Sequence, residues 1–271
     1  MQHKIFKLVF GVATLLLCSA VWAGPVFLTG HDPDIHAQTD AGAKNLLMTG
    51  LDFATGNTTS TITEKFLWVE SRIPTPGGHR IGENGLIGLG LTLGIHYDRA
   101  NAADLASVDF ASYTAIAIAS SFGGLLGRAE LDGLIARKDA IEAFINAGGG
   151  LFASSECFPC GANLLGGGTA PDLFGYLPVA VTSIGASPPF TVTAFGSSLG
   201  LVNSDLNSPT HNSFGLVGGL DIVDTDSAGQ ATTLAGIVTI DGGFVPVPEP
   251  TTLALLGLGL AALGFRRRKV H

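Results

Sequence analysis

Between residues 113 and 154 the sequence runs strand, turn, helix, stop, strand, and no other feature restricts the possible fold as strongly. Tyr113 to Ala119 (Tyr-Thr-Ala-Ile-Ala-Ile-Ala) is a continuous apolar run too short for a buried helix. From Arg128 to Ala147 the apolar residues Leu131, Leu134, Ile135, Ile141, Phe144 and Ile145 share one helical face, with Glu130, Arg137, Lys138 and Glu142 elsewhere. Gly148-Gly149-Gly150 ends that helix, and Leu151 to Ser154 is again an unbroken strand-like run. Strands that are apolar on both faces and alternate with a helix require a parallel sheet covered on both sides.

The flanking sequence extends the pattern. Pro25 to Thr29 predicts a buried strand, Asp40 to Leu51 a helix, Phe66 to Val69 a second strand and Ile95 to Asp98 a short third one. Beyond Gly161 the signals shorten to Val179 to Ser183, Phe190 to Ala194, Leu220 to Val223 and Thr232 to Val238, which predicts antiparallel or edge strands completing the same domain. The expected class is α/β, a mostly parallel sheet with helices on both faces, short extra strands in the C-terminal half, and a hydrophobic helix at each end of the chain.

Those two ends are set apart by charge and apolar runs. Residues 1–23 carry Lys4 and Lys7, an apolar stretch from Val9 to Cys18, and the small-residue exit Val21-Trp22-Ala23, the pattern of a signal peptide handled by the Sec export machinery. About ten apolar residues are too few for a membrane span, which needs roughly twenty, so an uncleaved anchor is disfavoured. A lipidated Cys18 is disfavoured too, because Leu15-Leu16-Leu17 lacks a small residue before it.

At the other end Val247-Pro248-Glu249-Pro250-Thr251 is followed by the apolar stretch Leu253 to Phe265 and then Arg266-Arg267-Arg268-Lys269. Prolines 246, 248 and 250 stop helix from spreading back into the preceding domain, and the four cations hold the far end on the cytoplasmic side. This tail resembles the PEP-CTERM sorting signal of Gram-negative bacteria that make extracellular polysaccharide. The resemblance implies an exosortase as partner, with Pro248, Glu249 and Pro250 as the recognised motif; a permanent C-terminal anchor is the alternative. The expected organisation is a signal peptide at 1–23, an α/β domain at 24–245 and a sorting signal at 246–271. The expected route is export across the inner membrane, transient anchoring, then the outer surface or medium.

Between residues 24 and 247 lie 21 of the 22 acidic side chains but only 8 of the 14 basic ones, an excess of 13 negative charges. Such a field opposes binding to nucleic acid. Three cysteines become two once the signal peptide is gone, Cys157 and Cys160. Outside the cytoplasm that spacing suits a local disulfide, and no second cysteine pair exists to complete a four-thiolate zinc site.

Ligands of open parallel sheets sit beyond the carboxyl ends of the strands. Those positions hold His31, Asp32, Asp34 and His36 after the first strand, Glu70 and Arg72 after the second, Ser120 and Ser121, and then Glu156 and Cys157. Two imidazoles and two carboxylates at 31–36 have the donor types of a divalent-metal site, although Asp and His around Pro33 are also ordinary turn and capping residues. Glu156, just after a buried strand, must pair or face a cleft, since burying a lone carboxylate is costly. Arg72, His79 and Arg80 sit in a Gly/Pro-rich loop, open either to an anionic ligand or to solvent.

The order of strand, helix, Gly-Gly-Gly, strand and Cys157 also resembles the class I glutamine amidotransferase-like fold, a flavodoxin-like sheet. Active members place a nucleophilic Cys on a strand-to-helix elbow flanked by glycines, with a His downstream; here these positions fall on Cys157 and on His211 in Thr210-His211-Asn212. The elbow reads Ser155-Glu156-Cys157-Phe158-Pro159 and lacks both glycines. Cys157 is thus read as disulfide-bonded, idle or nucleophilic, and His211 as a loop residue or a general base. Two functions follow: a non-catalytic or degenerate domain that binds a polysaccharide or another envelope component, or a hydrolase-like enzyme using Cys157 with His211, or Glu156 with a metal.

Overall fold

The computed structural model describes residues 23–57, 64–71, 81–121, 126–155, 173–177, 179–206, 212–215 and 217–247. Both apolar end segments lie outside these residues, and no helix among the described residues is long and apolar enough to cross a membrane.

The first half alternates strands and helices: β1 (Gly24–Thr29), α1 (Pro33–His36), α2 (Ala41–Thr55), β2 (Phe66–Val69), α3 (Glu83–Gly88), β3 (Tyr97–Ala100), α4 (Ala102–Leu105), β4 (Ala115–Ile118), α5 (Arg128–Ala136), α6 (Lys138–Asn146) and β5 (Gly150–Ser154). Its five strands are parallel neighbours in the order β3-β2-β4-β5-β1. A flavodoxin-like sheet would hold β1 between the second and third strands. Here β1 instead closes the parallel block beside β5, with Val26 opposite Leu151 and Thr29 opposite Ser154. Counted from β2, the order is the flavodoxin one, with the N-terminal strand in the last place.

Alternate residues of each strand feed two cores, as the two-residue period of a strand requires. Val26, Leu28, Leu67, Val69, Ile116, Ile118, Leu151 and Ala153 meet α5 and α6 through Leu131, Leu134, Ile141 and Ile145. On the opposite face Phe27, Phe66, Trp68, Ala117 and Phe152 meet Leu46, Leu47 and Leu51 of α2 and Leu86 of α3. Fit is close where α2 ends over the start of β5: a Cβ on Gly150 would lie 1.7 Å from the Ala54 carbonyl oxygen.

The second half contains β6 (Ser183–Gly185), β7 (Thr191–Val192), α7 (Ala194–Ser198), β8 (Asn212–Phe214), β9 (Asp221–Thr225), β10 (Ala231–Ile240) and β11 (Phe244–Pro246). All of its strand pairings are antiparallel, so the sheet is mixed, and the expectation of a mostly parallel one is corrected. Connection length explains the difference. Five residues join β9 to β10 and three join β10 to β11, enough for hairpins, whereas a parallel crossover takes a dozen or more. The ten-residue β10 covers the outer edge of β1, from Gly24 opposite Val238 to Thr29 opposite Thr233.

The helix expected over 128–147 is broken at Arg137. Arg137 donates to the carbonyls of Leu105 and Val108 at 2.6 and 3.0 Å and lies 4.6 Å over the Phe110 ring. The break turns this cation onto the end of α4, which periodicity alone does not foretell. Where β10 runs past the start of β1, Asn146 takes over as its partner: Ile240 N–H donates to Asn146 Oδ1 at 2.6 Å, and Asn146 Nδ2 donates to Ile240 O at 2.9 Å.

Candidate functional site

As the parallel strands approach their carboxyl ends they change from apolar to polar while staying buried. Thr29 on β1, Glu70 and Ser71 after β2, Ser120 and Ser121 after β4, and Ser154 and Ser155 at the end of β5 are all buried. Buried polar groups need partners, and they fall into two groups.

The first group lies where β2 and β4 send their chains to opposite faces of the sheet, the position at which doubly wound sheets open a crevice. Asp34 Oδ2 accepts from the Ser120 N–H at 2.9 Å and from the Ser120 hydroxyl at 3.1 Å. Glu70 Oε2 accepts from Glu83 N–H at 3.1 Å. Glu83 in turn accepts from the Tyr97 hydroxyl at 2.6 Å and from Arg99 at 2.9 Å. Gly82, ahead of α3, is wedged in between: a Cβ there would lie 2.8 Å from Asp34 Oδ2 and 3.3 Å from Glu70 Oε2. The absence of a side chain at 82 is what lets two carboxylate-bearing segments approach α3 so closely.

The second group surrounds the end of β1. His31 Nε2 lies 3.0 Å from Asp224 Oδ2, and neither side chain has any exposed surface. The Thr232 hydroxyl donates to the same carboxylate oxygen. Thr29 and Thr233 pair through their hydroxyls at 3.0 Å, and Thr29 Oγ1 also accepts from His31 N–H. Phe190 meets the imidazole edge-on at 5.2 Å. Close by in the topology, the Asn212 amide and the Ser154 and Ser155 hydroxyls are buried and make no hydrogen bond to a described residue.

The four residues singled out at 31–36 therefore take different partners. His31 goes to Asp224 and Asp34 to Ser120, while Asp32 pairs with His36 at 3.2 Å across α1. Asp32 stands at the N-cap of α1 without a side-chain capping bond, whereas Asp40 does cap α2, accepting from Ala43 N–H at 2.6 Å. Among the described residues no three His, Cys, Asp or Glu side chains are grouped to hold a metal ion. Arg72, His79, Arg80, Glu156, Cys157, Cys160, His211 and the motif Pro248, Glu249, Pro250 lie outside the described residues. Their chain neighbours are placed: Ser155 N–H donates to Thr29 O at 2.8 Å and Asn212 N–H to Gly30 O at 3.3 Å, one on each side of the β1 end.

Asp224, Thr232, Thr233 and Asn212 escape a reading that looks only beyond strand ends, because they come from the antiparallel half. A signal was present for Asp224: it stands inside the run Asp221-Ile222-Val223-Asp224-Thr225, where a carboxylate in an apolar strand must meet a donor.

The β9–β10 turn is held by a further carboxylate. Asp226 Oδ1 accepts from the N–H groups of Ala228 and Gln230, both at 2.9 Å, and Oδ2 from Ser213 Oγ at 3.0 Å and Ser187 N–H at 3.2 Å. Burial alone pushes the Asp226 carboxyl up, but these four hydrogen bonds together outweigh it and hold the group below the usual carboxylate range. A depressed folded-state value gives stability that is present above the unfolded value and disappears as the pH falls through the folded one. Stability is therefore expected to fall on acidification below about pH 4, and urea titrations across that range should show a shallower acid loss in Asp226→Asn.

A groove of 720 Å³ opens at the opposite, amino-terminal edge of the parallel strands, with Pro25, Thr55, Glu64, Tyr113 and Phe144 in its walls. Tyr113 there has its hydroxyl raised above the ordinary value, first by burial and then by the neighbouring Asp98.

Residues 246–269 match the PEP-CTERM protein-sorting motif. No curated protein and no solved structure matches the chain.

Proposed function

We propose that this protein is displayed at the cell surface or in the extracellular matrix, where its acidic α/β domain binds an envelope or polysaccharide component at the carboxyl ends of its parallel strands and performs no catalysis. The sorting motif marks an exported exosortase substrate that is transiently anchored in the membrane. One observation carries the rest: the motif begins at residue 246, the last residue of β11, so the cargo delivered by sorting is the folded sheet itself. Beneath the strand ends the hydroxyls of Ser154 and Ser155 and the Asn212 amide are buried and make no hydrogen bond to a described residue, and neutral groups of this kind suit the hydroxyls of a glycan better than an anion in so acidic a domain. Co-sedimentation with exopolysaccharide from the producing cells tests this. The wild-type domain is expected to pellet with the polymer; a domain that stays in solution would contradict it.

A hydrolase-like reading has one observation in its favour. Ser155 and Asn212, tied to adjacent carbonyls at the β1 end, stand two residues from Cys157 and one from His211. Thiol chemistry separates the two readings. The non-catalytic one expects Cys157 bonded to Cys160 and inert to iodoacetamide until reduced; rapid alkylation of Cys157 in the native protein would favour the enzyme.

A further inference from the structure

The geometry points to a membrane-docking face on this domain: an apolar strip of exposed Ile237 and Val245 with half-buried Pro25 and Val247 lies against the phospholipid surface while the C-terminal tail is inserted. This rests on the transient anchoring that the sorting motif implies, and on three features of the fold.

The first is where the two ends of the domain emerge. Gly24 and Pro246 are both Cα partners of Val238, one on either side of β10. They stand two strand spacings apart, about 10 Å. The signal peptide precedes Gly24 directly, and the sorting motif follows Pro246 directly. Both membrane-directed segments thus leave from one small region of the sheet.

The second is the length of the tether. Val247 is still bonded to the sheet, its N–H donating to Ile237 O at 3.3 Å. Six residue steps later the apolar stretch begins at Leu253. Even fully extended, those steps span only about 20 Å. A domain of roughly 220 residues is about twice as wide as that, so the exit region must face the bilayer.

The third is what the exit region presents. Residues two apart on a strand share a face, and partners across a ladder do so too. Pro25 opposes Ile237 and Val245 opposes Thr239, which puts Pro25, Ile237, Val245 and Val247 on one side of the β1–β10–β11 ladder. Ile237 is 56% and Val245 44% exposed. With its excess of negative charge the domain gains nothing from anionic headgroups, so the contact is apolar, and the short tether supplies the high local concentration that a small patch needs. The polar row at the far ends of β2, β4 and β5 is kept off the bilayer.

Trp68 makes the test clean. Once the signal peptide and its Trp22 are removed it is the sole tryptophan, and it is fully buried. Val245→Trp and, as a control on the exposed β9–β10 turn, Ala228→Trp are each placed in the exported full chain, inserted by its tail into phosphatidylcholine vesicles with ordinary or brominated acyl chains. The indole introduced at position 245 is expected to be quenched by the brominated lipid, the one at 228 not, and addition of Ile237→Asp should relieve the quenching. Unquenched emission at position 245, with the tail resisting alkaline extraction, overturns docking while leaving anchoring intact. A tail that fails to resist extraction overturns both. Concentration-dependent self-association through position 245 in place of quenching assigns the strip to a second copy of the chain and overturns it as well.

Discussion

Asp224→Ala is expected to lower the unfolding free energy by about 3–5 kcal/mol, the range for removing one partner of a buried polar pair. Asp224 receives His31 Nε2 and the Thr232 hydroxyl on one oxygen, in a site with no exposed surface. Truncation removes the acceptor that both groups share and leaves a void between them. The consequences reach beyond one contact. His31 leads out of β1 and Asp224 belongs to β9, so the pair bridges the parallel and antiparallel halves across β10. Asp224→Asn keeps the shape and one acceptor and should fall between wild type and the alanine variant. Urea unfolding followed by circular dichroism measures both. A loss below about 0.5 kcal/mol, typical of an ordinary surface substitution, would show that the bridge does not hold the halves together.

Replacing Pro248, Glu249 and Pro250 by alanine should abolish sorting while leaving the domain folded. All three lie within the matched sorting motif at 246–269, and only Val247 separates them from the last strand. Two effects combine. Side chains of the matched motif are lost, and replacing two prolines by alanine lifts the restriction they place on helix at these positions, where a processing enzyme must reach the peptide bonds. Cells making this variant should hold nearly all of the protein in the inner-membrane fraction, still carrying its basic terminus. Unchanged surface delivery would assign the sorting information elsewhere.

Where local pattern determines structure, the sequence is a good guide. The apolar runs at 25–29, 66–69, 113–119 and 151–154 all fall on strands, and the face of Leu131, Leu134, Ile141 and Ile145 packs where its period places it. What stayed hidden depends on partners distant in the chain. Nothing local tells β1 to lie between β5 and β10, or β10 to turn a parallel block into a mixed sheet. The same holds for the candidate site. The positions beyond strand ends were found by topology, but the carboxylate that His31 selects is 193 residues away. Asp32 and Asp34 look alike as loop carboxylates, yet one pairs along its own helix with His36 and the other reaches Ser120 after β4. The helix break at Arg137 was concealed for a related reason: its cause is a pair of carbonyls on α4 and its neighbouring loop, not a helix-breaking residue.

The measurement that bears most directly on the central claim is peptide mapping by mass spectrometry of the protein recovered from the cell surface. An exported, exosortase-sorted protein should begin at or near Gly24 and yield no peptide C-terminal to the Pro248-Glu249-Pro250 region. Recovery of Arg266 to His271 on the surface-located form would contradict the account, because the tail would then be a lasting anchor and not a sorting signal that is removed.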